Sequence, residues 1–239
     1  MKNLVILGGS RNLGRYLAIS FLKKFENVIV ISKSGYFTDQ SKKTTYAKIF
    51  HYSVDLSDKK KLNLVMKKIK KKFKRIDLTI SCTGNSKKTY KNLEHYSDWV
   101  NSLNSNFFCF TNFLETYQNI FKNRKTKIIV ISSIAGYRQI NAPITYSVSK
   151  HALNYYCLIK SKNLARYKIL INVISPGNTY QQGNLWSKKI KENPKKVKNY
   201  IKENVPLNSF CTPNQIFELC NYLYSKNGDI ITGSNFLLD

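Results

Sequence analysis

The sequence predicts an α/β fold, a doubly wound parallel sheet of about seven strands with helices on both faces. Three observations carry that expectation. Short apolar runs alternate with longer amphipathic stretches from end to end of the 239 residues. The first apolar run breaks into a glycine-rich turn and then a helical pattern. No repeat or low-complexity linker divides the chain, so residues 1–239 read as one domain.

The elements follow in order. Leu4–Leu7 reads as the first strand, Leu13–Phe25 as a helix and Val28–Ile31 as the second strand. Ile49–Val54 alternates apolar and polar residues as a third strand. Leu62–Phe73 is a lysine-rich amphipathic helix with a solvated face. Leu78–Ser81 is a fourth strand, two helices cover about 92–121, and Ile128–Ser132 is a β-branched fifth strand. A long helix begins near Tyr146 and runs through Ala152–Leu164. Ile169–Ile174 makes a sixth strand, ended by Pro176-Gly177. A polar loop over about 178–212 containing Trp186 is expected to cover the substrate. A helix near 214–224 and a strand over Ile230–Leu238 complete the pattern.

Composition narrows the function classes. Hydrophobic residues make up 42% of the chain, enough for a buried core. No run approaches the roughly 18 apolar residues of a membrane span. The apolar N-terminal run is cut short by Gly8 and Gly9, too soon for a signal-peptide core. A soluble cytoplasmic protein is therefore expected. Cys82, Cys109, Cys157, Cys211 and Cys220 form no CxxC pair and do not combine with His51, His95 or His151 at metal-ligand spacing. No metal site is expected, and reduced thiols fit the cytoplasm. The net charge is +27. Such a field attracts acidic partners. However, 34 of the 40 basic residues are lysine, whereas bidentate phosphate and base recognition favours arginine. A solvated surface is preferred to nucleic-acid binding.

The turn Gly8-Gly9-Ser10-Arg11-Asn12-Leu13-Gly14 stands at the first strand–helix junction. Glycines permit close backbone approach, and the helix that follows offers unpaired N–H groups to a pyrophosphate. This is the arrangement of a dinucleotide-binding (Rossmann) sheet. Strand two ends Ile31-Ser32-Lys33-Ser34 without the acid that would take the ribose 2′-hydroxyl of NAD(H). Lys33 and Arg11, with Ser32 beside them, favour the 2′-phosphate of NADP(H); NAD(H) stays possible.

Tyr146 and Lys150 are four residues apart and share a helical face. A phenol with a pKa of about 10 is a poor acid–base group at neutral pH. A neighbouring ammonium is expected to lower that pKa, so that Tyr146 exchanges a proton with a carbonyl or alcohol oxygen. Ser133, following strand five, can hold the same oxygen.

Over essentially the whole chain the sequence resembles the short-chain dehydrogenase/reductase superfamily. The motifs occur in family order. They are the glycine turn, Asp55-Leu56, Ser81-Cys82-Thr83-Gly84, Asn106 within Leu103-Asn104-Ser105-Asn106-Phe107, Ile131-Ser132-Ser133-Ile134-Ala135-Gly136, Tyr146-Ser147-Val148-Ser149-Lys150, Asn172-Val173-Ile174-Ser175-Pro176-Gly177 and Ile231–Asp239. The resemblance implies the following roles. Ser133 bonds the substrate carbonyl, and Tyr146 is the acid/base. Lys150 binds the nicotinamide ribose and tunes Tyr146, and Asn106 holds a relay water. The resemblance further implies cofactor contacts from Gly8, Ser10, Arg11, Asn12, Leu13, Gly14, Asp55, Leu56, Ser81, Thr83, Gly84, Pro176, Gly177 and Thr179. Homodimers or homotetramers through the helices at about 104–121 and 146–164 are also implied. The chain departs from the pattern at Leu7, at Asn12 (a residue tolerant of positive φ), at Ser81, Cys82 and Thr83, and at Gln181. The reading that follows is an NADP(H)-preferring carbonyl reductase or alcohol dehydrogenase. Its length resembles 3-oxoacyl-(acyl-carrier-protein) reductases, and a sugar or other small keto metabolite is the second candidate substrate. The alternative is a non-catalytic NADP-binding regulator or scaffold.

Overall fold

A computed structural model describes residues 1–33, 48–86, 94–121 and 125–239. Seven strands form one parallel sheet: β1 Asn3–Leu7, β2 Asn27–Ser32, β3 Lys48–Ser53, β4 Leu78–Ser81, β5 Thr126–Ile131, β6 Ile169–Pro176 and β7 Asn235–Leu238. The spatial order is β3-β2-β1-β4-β5-β6-β7. The chain builds outward from β1 in one direction and then returns to start again at β4. The β1–β4 boundary is thus a topological switch point, where the loops beyond the strand C-termini diverge and leave a crevice.

Alternation along the strands feeds two cores. Val5, Leu7, Ile29 and Ile31 are buried with α2 (Lys59–Phe73), α4 (Cys109–Ile120) and α5 (Ile144–Ala165). Leu4, Ile6, Val28 and Val30 are buried with α1 (Asn12–Ser20) and α8 (Pro213–Tyr224). Each such side chain, once fully buried, contributes roughly 1.5–3 kcal/mol. The lysine-rich α2 turns Leu62, Met66, Ile69 and Phe73 inward, and its charged face is solvated as expected.

Four expectations need correction. Helix α1 stops at Ser20 instead of Phe25. Turn bonds from Leu22 N to Ile19 O and from Lys24 N to Phe21 O replace the helix, and Phe21, Leu22 and Phe25 reach the core from that turn. The two helices expected over 92–121 are one bent rod. It consists of α3 (Tyr96–Leu103), a π-helical segment Asn104–Phe108 and α4, without an extended break between them. Residues 92 and 93 lie outside the described residues. The last strand begins only at Asn235, because Lys226–Ile230 forms a 3₁₀ turn over Asn227-Gly228. Finally, 178–212 is not a loop. Asn184 caps α6 (Leu185–Glu192), and Asn193 caps α7 (Pro194–Asn204), with Pro194 in the first turn. Trp186 and Ile190 from α6 pack on Val197 and Ile201 from α7, and Val205 and Phe210 complete this small separate core.

Candidate active site

The crevice at the switch point opens into a cleft of about 970 Å³. At its β1 end lies the glycine turn. Gly8 has φ +73° and Asn12 has φ +47°, so two residues take the left-handed backbone that glycine and asparagine tolerate. Gly8 N donates to Ile31 O at 2.8 Å, which ties the turn to β2. A side chain at Gly14 would collide with the Gly8 carbonyl and Gly9 Cα. The turn therefore packs directly on the start of α1. No side chain caps that helix, and its first N–H groups meet the cleft through Asn12, Leu13 and Gly14. This cradle fits a pyrophosphate.

The neighbouring strand ends supply the next wall. Ser32, Lys33, Asp55 and Leu56 line it. Lys33 Nζ forms an ion pair with Asp55 Oδ2 at 2.7 Å. Asp55 Oδ1 accepts from Ser57 N at 3.0 Å and from Ser57 Oγ at 2.7 Å. Burial is the largest single influence on the Asp55 carboxyl and pushes its pKa up, but Lys33 and Ser57 together outweigh it and hold the pKa at about 2. Ser32 Oγ is 2.7 Å from His51 Nε2. Ser34 lies outside the described residues.

At the β4–β5 end Tyr146 and Lys150 line the cleft. The sharp entry into the 3₁₀ turn Ile134–Gly136 presents Ser133, whose Oγ accepts from Ala135 N at 3.2 Å. A side chain at Gly136 would stand 2.7 Å from the Lys150 carbonyl carbon, so the turn sits flush on α5. His151 Nδ1 and Asn154 Nδ2 both reach Gly136 O, at 3.0 and 3.2 Å. That contact brings the Ser133 hydroxyl near the Tyr146 phenol. Burial nevertheless raises the Tyr146 pKa above the usual phenol value, and Ser133 offsets only part of the rise. The lowering expected from Lys150 is not found in the protein alone. Lys150 Nζ is 5.9 Å from the Tyr146 ring centre and donates to Thr83 O at 3.1 Å and Ile131 O at 3.4 Å. Burial lowers its own pKa to about 8.

Gly84, at φ +149°, lets the chain pass between Asn106 and Lys150. A side chain there would meet Asn106 Oδ1 at 2.7 Å and Lys150 Nζ at 2.9 Å. Asn106 lies fully buried in the π-helical segment. Its amide brackets the Asn85 backbone, with Oδ1 accepting from Asn85 N at 3.1 Å and Nδ2 donating to Asn85 O at 3.0 Å. Ser102 Oγ and Ser149 Oγ, 2.9 Å apart, clip that rod to α5.

The structure thus brings the glycine turn, Lys33, Asp55, Thr83, Gly84, Tyr146 and Lys150 to one cleft. It places Ser81 beneath it, 1% exposed, with Oγ 3.1 Å from Thr83 Oγ1. Pro176, Gly177 and Thr179 stand away from the lining, at the β6–β7 edge. Gly177 packs on Asp239 there, and Thr179 bridges to Cys211. Asn85, Ser57 and Ser102 are not among the sequence-derived candidates, and Gly136 and Ser149 stand in the quoted motifs without an assigned role. Gly136 had a signal, being a glycine directly after the serine strand. The others act through backbone or hydroxyl contacts that no spacing announces. Among the described residues no cluster of three metal-binding side chains occurs.

Comparison with known proteins agrees with this architecture. The family model described as enoyl-(acyl carrier protein) reductase matches residues 9–239. Glucose 1-dehydrogenase 2 of Bacillus subtilis is 23% identical, covering 100% of this chain and 93% of the relative. The 3-oxoacyl-(acyl-carrier-protein) reductase of Thermotoga maritima is 22% identical over 100% and 96%. The solved structure of ElxO with NADP bound is 24% identical, superposes with a TM-score of 0.86 and covers 100% and 97%. The chain belongs to the short-chain dehydrogenase/reductase superfamily of oxidoreductases.

Proposed function

We propose that the protein is an NADP(H)-dependent carbonyl reductase and alcohol dehydrogenase. The carrying observation is that Tyr146 and Lys150 line one end of a cleft whose other end is a pyrophosphate cradle, with Ser133 acting on the Tyr146 phenol from outside the lining. The cofactor, when bound, supplies or accepts hydride. Ser133 holds the substrate oxygen, and Tyr146 gives it a proton in reduction and takes one back in oxidation. Lys150, poised by two carbonyls, binds the nicotinamide ribose and adds positive charge near Tyr146. Asn106 fixes the Gly84–Asn85 backbone against that ammonium and supports the relay water. Lys33 and Arg11 on the adenosine wall support the preference for NADP(H), as does the NADP found with the structural relative.

The substrate is a 3-oxoacyl group on an acidic carrier, or a sugar or small keto metabolite. The reductase and glucose dehydrogenase relatives support both. Helices α6 and α7 cover it. The free cysteines among the described residues suit a reducing cytoplasm. No described helix is long and apolar enough to cross a membrane. The test is NADPH oxidation with a panel of ketones, acyl-carrier thioesters and keto sugars. Turnover is expected with at least one, and it disappears in Tyr146→Phe with NADPH binding retained. Full activity in that variant overturns the mechanism.

A further inference from the structure

The adenosine wall holds a charge arrangement that a count of cations does not capture. Lys33 provides a positive charge where a 2′-phosphate would lie, but its Nζ is already 2.7 Å from Asp55 Oδ2. The contact is built into the sheet. Val54 N donates to Ser32 O at 3.0 Å and Ser53 Oγ to Lys33 O at 3.3 Å, so the ends of β2 and β3 are tied and set the two side chains face to face. Ser57 fixes the other carboxylate oxygen from its N–H and its hydroxyl. Both charged groups line the cleft.

We infer that Asp55 is a cofactor-discriminating residue: through its ion pair with Lys33 it opposes the 2′-phosphate of NADP(H) and thereby keeps NAD(H) usable. This rests on the dinucleotide-binding reading of the cleft. A phosphate monoester carries about −1.5 to −2 at neutral pH. Beside the pair the charges of Lys33 and Asp55 cancel, so among the described residues of that wall Arg11 is left as the cation not offset by Asp55. The phosphate must draw Lys33 from Asp55 or accept a carboxylate as a near neighbour. The 2′-hydroxyl of NAD(H) bears no such cost. Removing the Asp55 charge makes the wall one unit more positive, and removing the Lys33 charge makes it one unit more negative. Removing both restores the parent charge.

The preference ratio, the affinity for NADP divided by that for NAD, follows that charge. Asp55→Asn keeps an oxygen for Ser57 and raises the ratio about fivefold or more. Lys33→Ala lowers it, and the double variant returns near the parent value. The measurement is titration of the purified protein with NADP⁺ and NAD⁺, by calorimetry or fluorescence. It is repeated with adenosine 2′,5′-bisphosphate and adenosine 5′-monophosphate, with thermal melts confirming folded variants. If Asp55 only touches adenine, Asp55→Asn weakens both dinucleotides alike and the double variant keeps the ratio of Lys33→Ala. That outcome overturns the inference while leaving the enzyme reading intact. A parent protein that binds neither dinucleotide overturns both.

Discussion

At Tyr146 burial pulls the phenol pKa up and Ser133 pulls it down, and burial wins. The Tyr146 pKa is raised, and that of Lys150 falls to about 8, because each loses hydration of its charged form. The neutral phenol is the form that protonates a developing alkoxide, and the phenolate is the form that takes a proton from an alcohol. The sign of the pH dependence follows. Ketone reduction declines as pH rises through the Tyr146 pKa, while alcohol oxidation gains over the same range. Paired pH profiles of kcat/KM in the two directions check this; parallel profiles would assign the proton to another group. Tyr146→Phe should flatten both and cost about 10²–10⁴ in rate. Tyr146, Lys150 and Ser133 stand out in the sequence as candidates because chemistry restricts which residue types can serve. The direction of the Tyr146 shift is not legible there. It depends on how completely the fold removes water and on which carbonyls claim Lys150, and neither is written in a four-residue spacing.

Elements place those residues, and their accuracy depends on small contacts. The 3₁₀ turn carrying Ser133 rests on α5 through Gly136, where a Cβ would stand 2.7 Å from the Lys150 carbonyl carbon and 2.9 Å from His151 N. Gly136→Ala is expected to lift the turn, part Ser133 from Tyr146 and lower kcat by about tenfold or more, since misplacing reacting groups is costly. The overpacking should also cost about 1–3 kcal/mol of stability in denaturant titration. NADPH affinity should change little, because the pyrophosphate cradle is at the far end of the cleft. Equal losses of binding and turnover would show that the two ends are not independent. The same dependence on contacts explains which elements the sequence disclosed. Strands β1, β2 and β5 contain unbroken apolar runs, and those of β4 and β6 are broken only by Thr79 and by Asn172, so all five are evident in the sequence. Helices α6 and α7 were hidden because Trp186, Ile190, Val197 and Ile201 are sparse among lysines, although Asn184 and the pair Asn193-Pro194 are proper start signals. The rod from α3 to α4 was split in prediction. Its polar segment Asn101-Ser102-Leu103-Asn104-Ser105-Asn106 looks like a break, yet its hydroxyls and amides bond within the rod and to α5 and the Asn85 backbone.

At the scale of the whole molecule, one apolar face of α5 stands exposed among the described residues. On α5, Ile144, Val148, Tyr155, Leu158 and Ile159 are each 45–58% exposed. At 3.6 residues per turn they fall within an arc of about 100°. Phe108, on the rod beside α5, is 43% exposed. A contiguous apolar stripe of this kind marks an interface, and a second copy placing its own α5 there would bury it in a two-fold arrangement. The chain's net charge of +27 works against that association, since each copy repels the other. Screening shortens the reach of that repulsion to about 10 Å at 0.1 M salt and leaves apolar burial intact. Self-association should therefore strengthen as salt is raised, the reverse of binding to an acidic carrier or a nucleic acid, which salt weakens. Leu158→Arg places a further cation in the stripe and should shift the protein to monomer. Sedimentation velocity or light scattering at two ionic strengths decides the matter. A parent chain that stays monomeric at high concentration and high salt would leave the α5 stripe to a different partner, and a dimer unchanged by Leu158→Arg would place the interface elsewhere on the molecule.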